Sequence, residues 1–199
     1  MLNFNDLYSI ATDEDTNELL QREKAINFED ATNIQFTSGT TGYPKGATLS
    51  HFNILNNGQY NGYFQEFTDK DRICIPVPLY HCFGMVIGNL AALNYGAAMV
   101  YPSDSFDPAA TLEAVTKYKC TSVYGVPTMF IAYLEEYGKN KGKYDVSSLR
   151  TGFIAGSSAP EALMNRISSE FGLKNYNLVQ GYGMTELSPV VTISNKHDS

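Results

Sequence analysis

From Asn33 onward, short β-prone runs alternate with amphipathic stretches of about three helical turns, the pattern of βαβ units. The strand candidates are Asn33–Phe36, Arg72–Ile75, Ala97–Tyr101, Thr121–Tyr124, Gly152–Ala155 and Tyr176–Gln180. Helix signals fall between them. Ser50 caps a helix running to about Phe64, and Asp107 caps another with Pro108 at its first position. Leu112, Val115 and Tyr118 line one face of that second helix. Pro127 opens a third, with Phe130, Leu134 and Tyr137 at helical spacing; Pro160 opens a fourth, with Leu163, Ile167 and Phe171 in line and Gly172 to stop it. The predicted fold is α/β: a mostly parallel sheet with helices on both faces. Residues 1–30 differ. They are acidic and polar, and Leu19, Leu20 and Ile26 share one side of a short surface helix within Thr16–Ile26, so they read as a peripheral segment.

A chain of 199 residues suits one domain. Its 43% hydrophobic content with 18% charged residues fits a folded protein rather than a disordered one. The net charge of −7 argues against a general attraction to nucleic acid or an anionic membrane, so any phosphate ligand must be held by local donors. Cys74, Cys82 and Cys120 show no paired spacing, which fits free thiols in a reducing compartment. No run approaches the roughly 18–20 apolar residues of a membrane span, and the first residues lack the basic-then-apolar pattern of a secretory signal. The expected location is cytoplasmic.

Thr37-Ser38-Gly39-Thr40-Thr41-Gly42-Tyr43-Pro44-Lys45-Gly46 is the segment richest in chemistry. It can contribute little to a core. Its glycines let backbone N–H groups turn toward an anion, its hydroxyls add donors, and Lys45 adds a compact positive charge. It follows a predicted strand and precedes a predicted helix, where α/β proteins place phosphates. It is not a Walker A loop, because Gly39 and Gly42 are too close together and Gly46 follows the lysine. Ligands of such sheets bind beyond the carboxyl ends of the strands. The loops at 37–46, 78–84, 156–160 and 181–186 each follow a strand candidate, so all are expected at one edge. His81 beside Cys82 could suggest a metal pair or a Cys–His nucleophile. Zinc wants more ligands at recognisable spacing, and adjacent residues give a nucleophile and its base poor geometry.

The opening loop resembles the signature of the adenylate-forming superfamily: acyl-CoA synthetases, luciferases and peptide-synthetase adenylation domains. Pro78-Leu79-Tyr80-His81-Cys82-Phe83-Gly84 resembles its second core motif and Gln180-Gly181-Tyr182-Gly183-Met184-Thr185-Glu186 its third. Gly156-Ser157-Ser158-Ala159-Pro160 is similar to its adenine-facing loop. The matches occur in the family's order and run from about Asp30 to the C-terminus, closest in flavour to the fatty acyl-CoA synthetases. The resemblance implies that residues 1–199 are part of an AMP-binding (adenylation) domain, a central segment of a longer enzyme whose C-terminal lid domain lies outside it.

The resemblance also implies a reaction. A carboxylate attacks the α-phosphorus of ATP, pyrophosphate leaves, and the acyl-adenylate passes its acyl group to coenzyme A. Thr37, Ser38, Gly39, Thr40, Thr41, Gly42 and Lys45 would hold the β- and γ-phosphates. Tyr182, between Gly181 and Gly183, would stack on adenine, with Gly156, Ser157, Ser158, Ala159 and Pro160 bordering the base. Thr185 would donate to the α-phosphate, Glu186 would bind Mg²⁺, and His81 would gate the acyl pocket. The acid, a medium- or long-chain fatty acid, would lie against Phe83, Gly84, Met85, Val86, Gly88 and 123–127, where glycines leave room. ATP, Mg²⁺, coenzyme A and a small carboxylate are the implied cofactors and partners. The segment alone is expected to be inactive, and self-association through exposed edges is a further expectation. An aryl-CoA ligase, a peptide-synthetase adenylation domain, a segment that only binds nucleotide, and an unrelated phosphate-binding module remain alternatives.

Overall fold

The computed structural model describes residues 4–38, 42–173 and 177–194. After a 3₁₀ turn at Phe4–Asp6 come helix α1 (Leu7–Ile10) and helix α2 (Asp13–Ala25). A capping box starts α2, with the Thr12 side chain accepting from the Asp15 amide while Asp15 accepts from Thr12. The helix buries no residue.

Strands β1 (Ala31–Thr37) and β2 (Lys45–Ser50) form a separate two-stranded antiparallel sheet. Thr37 lies opposite Lys45 at one end and Ala31 opposite Ser50 at the other. The glycine-rich loop therefore joins two antiparallel strands. The expected direct passage from strand to helix is corrected, since β2 intervenes. One side of the hairpin is buried through Gln35, Ala47 and Leu49, whereas Ile34 and Phe36 face outward, Phe36 at 76% exposure. Leu49 packs with Ile54, Cys82 and Val86 in a small core of its own.

Helix α3 (His51–Phe64) follows at once. Ser50 caps it by accepting from the Asn53 amide, and Asn53 Oδ1 accepts from the Ser50 backbone. Next come β3 (Arg72–Cys74), a π-helical segment at Phe83–Leu90, α4 (Ala91–Tyr95), β4 (Ala98–Val100), α5 (Pro108–Tyr118), β5 (Ser122–Gly125), α6 (Pro127–Lys139), β6 (Thr151–Ile154), α7 (Glu161–Phe171) and β7 (Leu178–Gly183). After a 3₁₀ turn at Thr185–Leu187, β8 (Val190–Ile193) ends the described chain. Among the described residues the main sheet has six strands in the order β4-β3-β5-β6-β7-β8, all parallel to their neighbours except the last. Every residue of β5 and β6 is buried, as central parallel strands covered on both faces require. Helices α5, α6 and α7 pack in sequence on one another, while α3, α4 and the π-helical segment form a second group. Phe83, Tyr124 and Phe153 meet between the second group and the sheet, with ring centroids 5.7–5.9 Å apart.

The predicted α/β architecture stands, and the strand candidates from Arg72 to Ala155 sit within a residue or so of the observed strands. Leu112 and Val115 are buried as expected, but Tyr118 at the end of α5 is 42% exposed. Tyr176, expected to start the sixth strand, lies outside the described residues. Strands β2 and β8 and the helical character of Phe83–Tyr95 were not anticipated.

At the amino ends of the parallel strands an ion pair ties several segments together. Arg150 donates Nε to Asp71 Oδ1 at 2.8 Å and Nη2 to Asp71 Oδ2 at 2.7 Å. It also donates to the carbonyls of Gln65 and Glu66. Asp71 further accepts from Thr121 Oγ1 at 2.6 Å and from the Thr68 amide at 2.8 Å. The network lies just before β3, β5 and β6, at the sheet edge away from the loops described next.

Candidate functional site

A cleft of about 330 Å³ opens where β6 and β7 end. Its walls come from four stretches far apart in sequence: Thr37; His81, Cys82, Phe83 and Ile87; Ala155 and Gly156; and the run from Gly181 to Glu186 with Pro189 and Val190. A second hollow of about 400 Å³ adjoins it, lined by Gly156, Ser157, Ser158, Gln180–Gly183, Thr192 and Ser194. Tyr182 borders both and is 64% exposed, so it is not a packed core tyrosine.

The hairpin brings Thr37 to the cleft at the last position of β1. Lys45 stands opposite it at the first position of β2, exposed, and β2 lies beside the Thr185–Leu187 turn. Ser38 is exposed on the same hairpin, and Gly42 takes the left-handed conformation at φ 86°. Gly39, Thr40 and Thr41 lie outside the described residues.

His81 is fixed by its own turn. Its Nδ1 accepts the Phe83 amide at 3.0 Å. That bond occupies the Nδ1 lone pair, so Nε2 carries the proton, and burial lowers the ring's pKa further toward the neutral form. Cys82 is buried, and desolvation pushes its thiol above the ordinary value despite a contact with Thr185 Oγ1 at 3.7 Å. Cys82 Sγ lies 3.7 Å from His81 Nδ1, but that nitrogen already accepts the Phe83 amide and burial disfavours the thiolate, so the pair is poorly arranged for a Cys–His nucleophile. Among the described residues no group of three His, Cys, Asp or Glu side chains could hold a metal ion.

Gly156 at φ 90° turns the chain out of β6 in a bend at Gly156 and Ser157. From there the loop departs from the expected arrangement. Ala159 packs partly on the main core and lines a separate groove beside α7, and Pro160 is the N-cap of α7. Neither borders the cleft or the hollow beside it. Gly181 and Gly183 flank Tyr182, but the room they leave is filled by the protein. A Cβ on Gly181 would meet the Phe153 ring at 2.3 Å, and one on Gly183 would meet the Pro189 carbonyl oxygen at 1.9 Å. Thr185 is half-buried and Glu186 exposed on the cleft wall.

The expected acyl wall needs the same correction. A Cβ on Gly84 would strike the Pro78 carbonyl oxygen at 2.4 Å, and one on Gly88 would meet Ile75 at 2.9 Å, so both glycines serve close packing of the π-helical segment. Val86 is fully buried, and Met85 lies under the hairpin, where its sulfur faces the side-chain amides of Asn33 and Gln35. Of the expected wall, Phe83 borders the cleft; Ile87, one π-helical turn on, does so too. Ile87, Pro189 and Val190 were not singled out from sequence. They are apolar residues outside any motif, and only the fold brings them there.

Thr37 at the end of the hairpin strand, an exposed tyrosine and a Thr–Glu pair gather at the carboxyl edge of a mostly parallel sheet, the place where α/β proteins bind nucleotides. The family model of the AMP-binding enzymes matches residues 2–199, and the chain belongs to that family. It is 46% identical over 182 residues to "Putative acyl-CoA synthetase YngI" of Bacillus subtilis, covering 92% of this chain and 32% of that protein. Over 187 residues it is 46% identical to "Medium-chain acyl-CoA ligase ACSF2, mitochondrial" of Danio rerio, covering 93% of this chain and 30% of that protein. A solved structure of a fatty acyl-adenylate ligase from L. pneumophila, in complex with acyl adenylate and pyrophosphate, superposes with a TM-score of 0.75 at 26% identity. That match covers 85% of this chain and 31% of the ligase. The chain thus spans about a third of the length of the curated relatives it matches.

Proposed function

We propose that the protein carrying this chain activates a fatty carboxylate with ATP, forming an acyl-adenylate, and transfers the acyl group to coenzyme A. The observation that carries this is the convergence of Thr37, His81, Gly156, Tyr182, Thr185 and Glu186 on one cleft at the carboxyl edge of the sheet. The first step brings an anion onto a polyanion, so donors and cations must be in place beforehand.

In this reading Thr37, Ser38, Gly39, Thr40, Thr41, Gly42 and Lys45 hold the β- and γ-phosphates. Each charge-assisted bond contributes roughly 1.5–3 kcal/mol. Tyr182 stacks on adenine, with Gly156, Ser157 and Ser158 beside the base, and Thr185 donates to the α-phosphate. His81, neutral with its proton on Nε2, offers that N–H to the incoming carboxylate without protonating it. Phe83 and Ile87 supply the apolar wall for the acyl chain.

The residues present fit Mg²⁺. Glu186 offers one exposed carboxylate, and Mg²⁺ needs only one or two, taking its remaining ligands from phosphate oxygens and water. The ion would neutralise charge on the triphosphate.

Residues 1–199 form part of the adenylation domain, with residues 1–30 peripheral to the site, and a separate lid domain completes the enzyme. The segment alone binds nucleotide weakly and does not turn over. Its exposed Ile34 and Phe36, and the edge of β4, which pairs with β3 alone among the described strands, support self-association when it is isolated. The three cysteines are free and buried, which supports a reducing compartment, the cytoplasm in our proposal. No helix among the described residues is long and apolar enough to cross a membrane.

Pyrophosphate release by the full-length protein, measured against fatty, aryl and amino acids, tests this function. Release should depend on the acid and favour fatty acids. Release independent of any carboxylate would refute it, and a preference for aryl or amino acids would move the protein to another branch of the family.

A further inference from the structure

The loop that bears Thr185 and Glu186 leaves β7 and returns as β8. Met184 donates its amide to the Pro189 carbonyl at 2.9 Å, and Ser188 donates to the Thr185 carbonyl at 3.1 Å. These bonds close the loop on itself, and its turn lies beside β2 of the hairpin. A side chain from another part of the chain ties its return strand to helix α3. Asn57, in the middle of α3, donates Nδ2 to the Val190 carbonyl at 2.8 Å and accepts the Val190 amide on Oδ1 at 3.2 Å. One residue's donor and acceptor are both taken, and only one orientation of the amide satisfies the two. Asn61, one turn further along α3, is buried and donates Nδ2 to Asn57 Oδ1 at 3.2 Å, which holds the amide in that orientation. Asn57 therefore pairs with the free edge of β8 as a one-residue strand would.

The same helix is joined to the hairpin. Ser50 is both the last residue of β2 and the N-cap of α3. Helix α3 is thus a rigid link between the hairpin bearing Thr37 and Lys45 and the loop bearing Thr185 and Glu186.

We infer that Asn57 is a positioning residue: its side-chain amide sets the Thr185–Glu186 loop at the height the ATP phosphates require. The inference rests on the function proposed above. Asn57 touches no substrate and acts through Val190.

The test uses the full-length protein with Asn57→Leu, which removes both bonds, and Asn57→Asp, which keeps the size and one acceptor but sets a carboxylate oxygen against the Val190 carbonyl. Asn56→Ala is the control, since Asn56 bonds the Phe52 carbonyl of its own helix. Amide hydrogen exchange at Val190 should accelerate in Asn57→Leu, which loses the acceptor of that amide, and exchange across 184–188 should accelerate in both Asn57 variants and not in the control, while β5 and β6 stay protected. Per folded molecule, kcat for acid-dependent pyrophosphate release should fall about 10- to 100-fold, the scale of a sub-ångström to 1 Å misplacement. The Mg²⁺ requirement should rise and KM for the acid stay nearly constant. Unchanged protection of Val190 in Asn57→Leu would remove the clamp. Faster exchange with unchanged kcat and Mg²⁺ dependence would leave Asn57 purely structural and overturn the inference. A wild-type protein with no acid-dependent release would instead overturn the proposed function, and the positioning role with it.

Discussion

Replacing Arg150 with alanine strands a carboxylate inside the fold. The Asp71 side chain is 4% exposed, and Arg150 meets it with both arms of its guanidinium. Breaking a buried pair by removing one partner costs about 3–5 kcal/mol. Two features reduce that here. The Arg150 side chain is 37% exposed, so water can enter where the guanidinium was, and Asp71 keeps its bonds from Thr121 Oγ1 and the Thr68 amide. The carbonyls of Gln65 and Glu66 lose their Arg150 donors at the same time. A loss of roughly 2–3 kcal/mol results, or about 4–12 °C in Tm for a chain of this size. The pH dependence is a sharper test. Burial on its own would raise the Asp71 pKa, but Arg150, Thr121 and Thr68 outweigh it and hold it below the usual carboxylate value. A depressed carboxylate contributes stability that is present above the unfolded value of about 3.9 and is lost as pH falls through the folded one. Without Arg150 the burial contribution counts for more and the pKa rises. The gap between wild type and Arg150→Ala in urea unfolding should therefore be widest near pH 7 and shrink toward pH 3. A gap below about 0.5 kcal/mol, the size of an ordinary surface change, or one that does not vary with pH, would refute the reasoning.

Lys45→Ala in the full-length protein should lower kcat/KM for ATP roughly 10- to 100-fold, the equivalent of one charge-assisted bond, and leave binding of the acid nearly unchanged. Equal effects on both substrates in steady-state kinetics would remove Lys45 from the phosphates. Glu186→Gln should lower activity and raise the Mg²⁺ concentration at half-maximal rate; a metal titration superimposable on wild type would exclude Glu186 as a ligand. His81 should appear by ¹⁵N NMR as the Nε2–H tautomer and titrate below the ordinary value of about 6.5. Because its folded pKa is depressed, its contribution to stability is present above that pH and lost on acidification, and an Nδ1–H tautomer at neutral pH would contradict the bond to Phe83.

The main sheet was legible because its residues make consistent local statements. Asp107-Pro108 and Gly172 carry helix-end chemistry, and the runs at 121–124 and 152–155 are uncharged and hold β-prone Val, Tyr, Phe and Ile, as central strands require. The hairpin was less so. Lys45–Ser50 contains a glycine and weak strand formers, and it becomes β2 through pairing with Ala31–Thr37, which no local pattern announces. Gly84 and Gly88 looked like space for a ligand; the space is taken by Pro78 and Ile75, which only the folded chain brings near. Ala159 and Pro160 continue a loop motif in sequence, yet the chain has already turned at Gly156 and is entering α7. Asn57 carries no signal at all. It reads as a polar residue on a helix, and its partner is 133 residues away.

The central claim is that a carboxylate oxygen attacks the α-phosphorus of ATP in this cleft. Incubating the full-length protein with Mg·ATP, coenzyme A and a fatty acid labelled with ¹⁸O in its carboxyl group decides it by mass spectrometry of the products. One ¹⁸O in AMP and none in pyrophosphate is the predicted result. Label appearing in inorganic phosphate alongside ADP would place the attack on the γ-phosphorus and contradict the account.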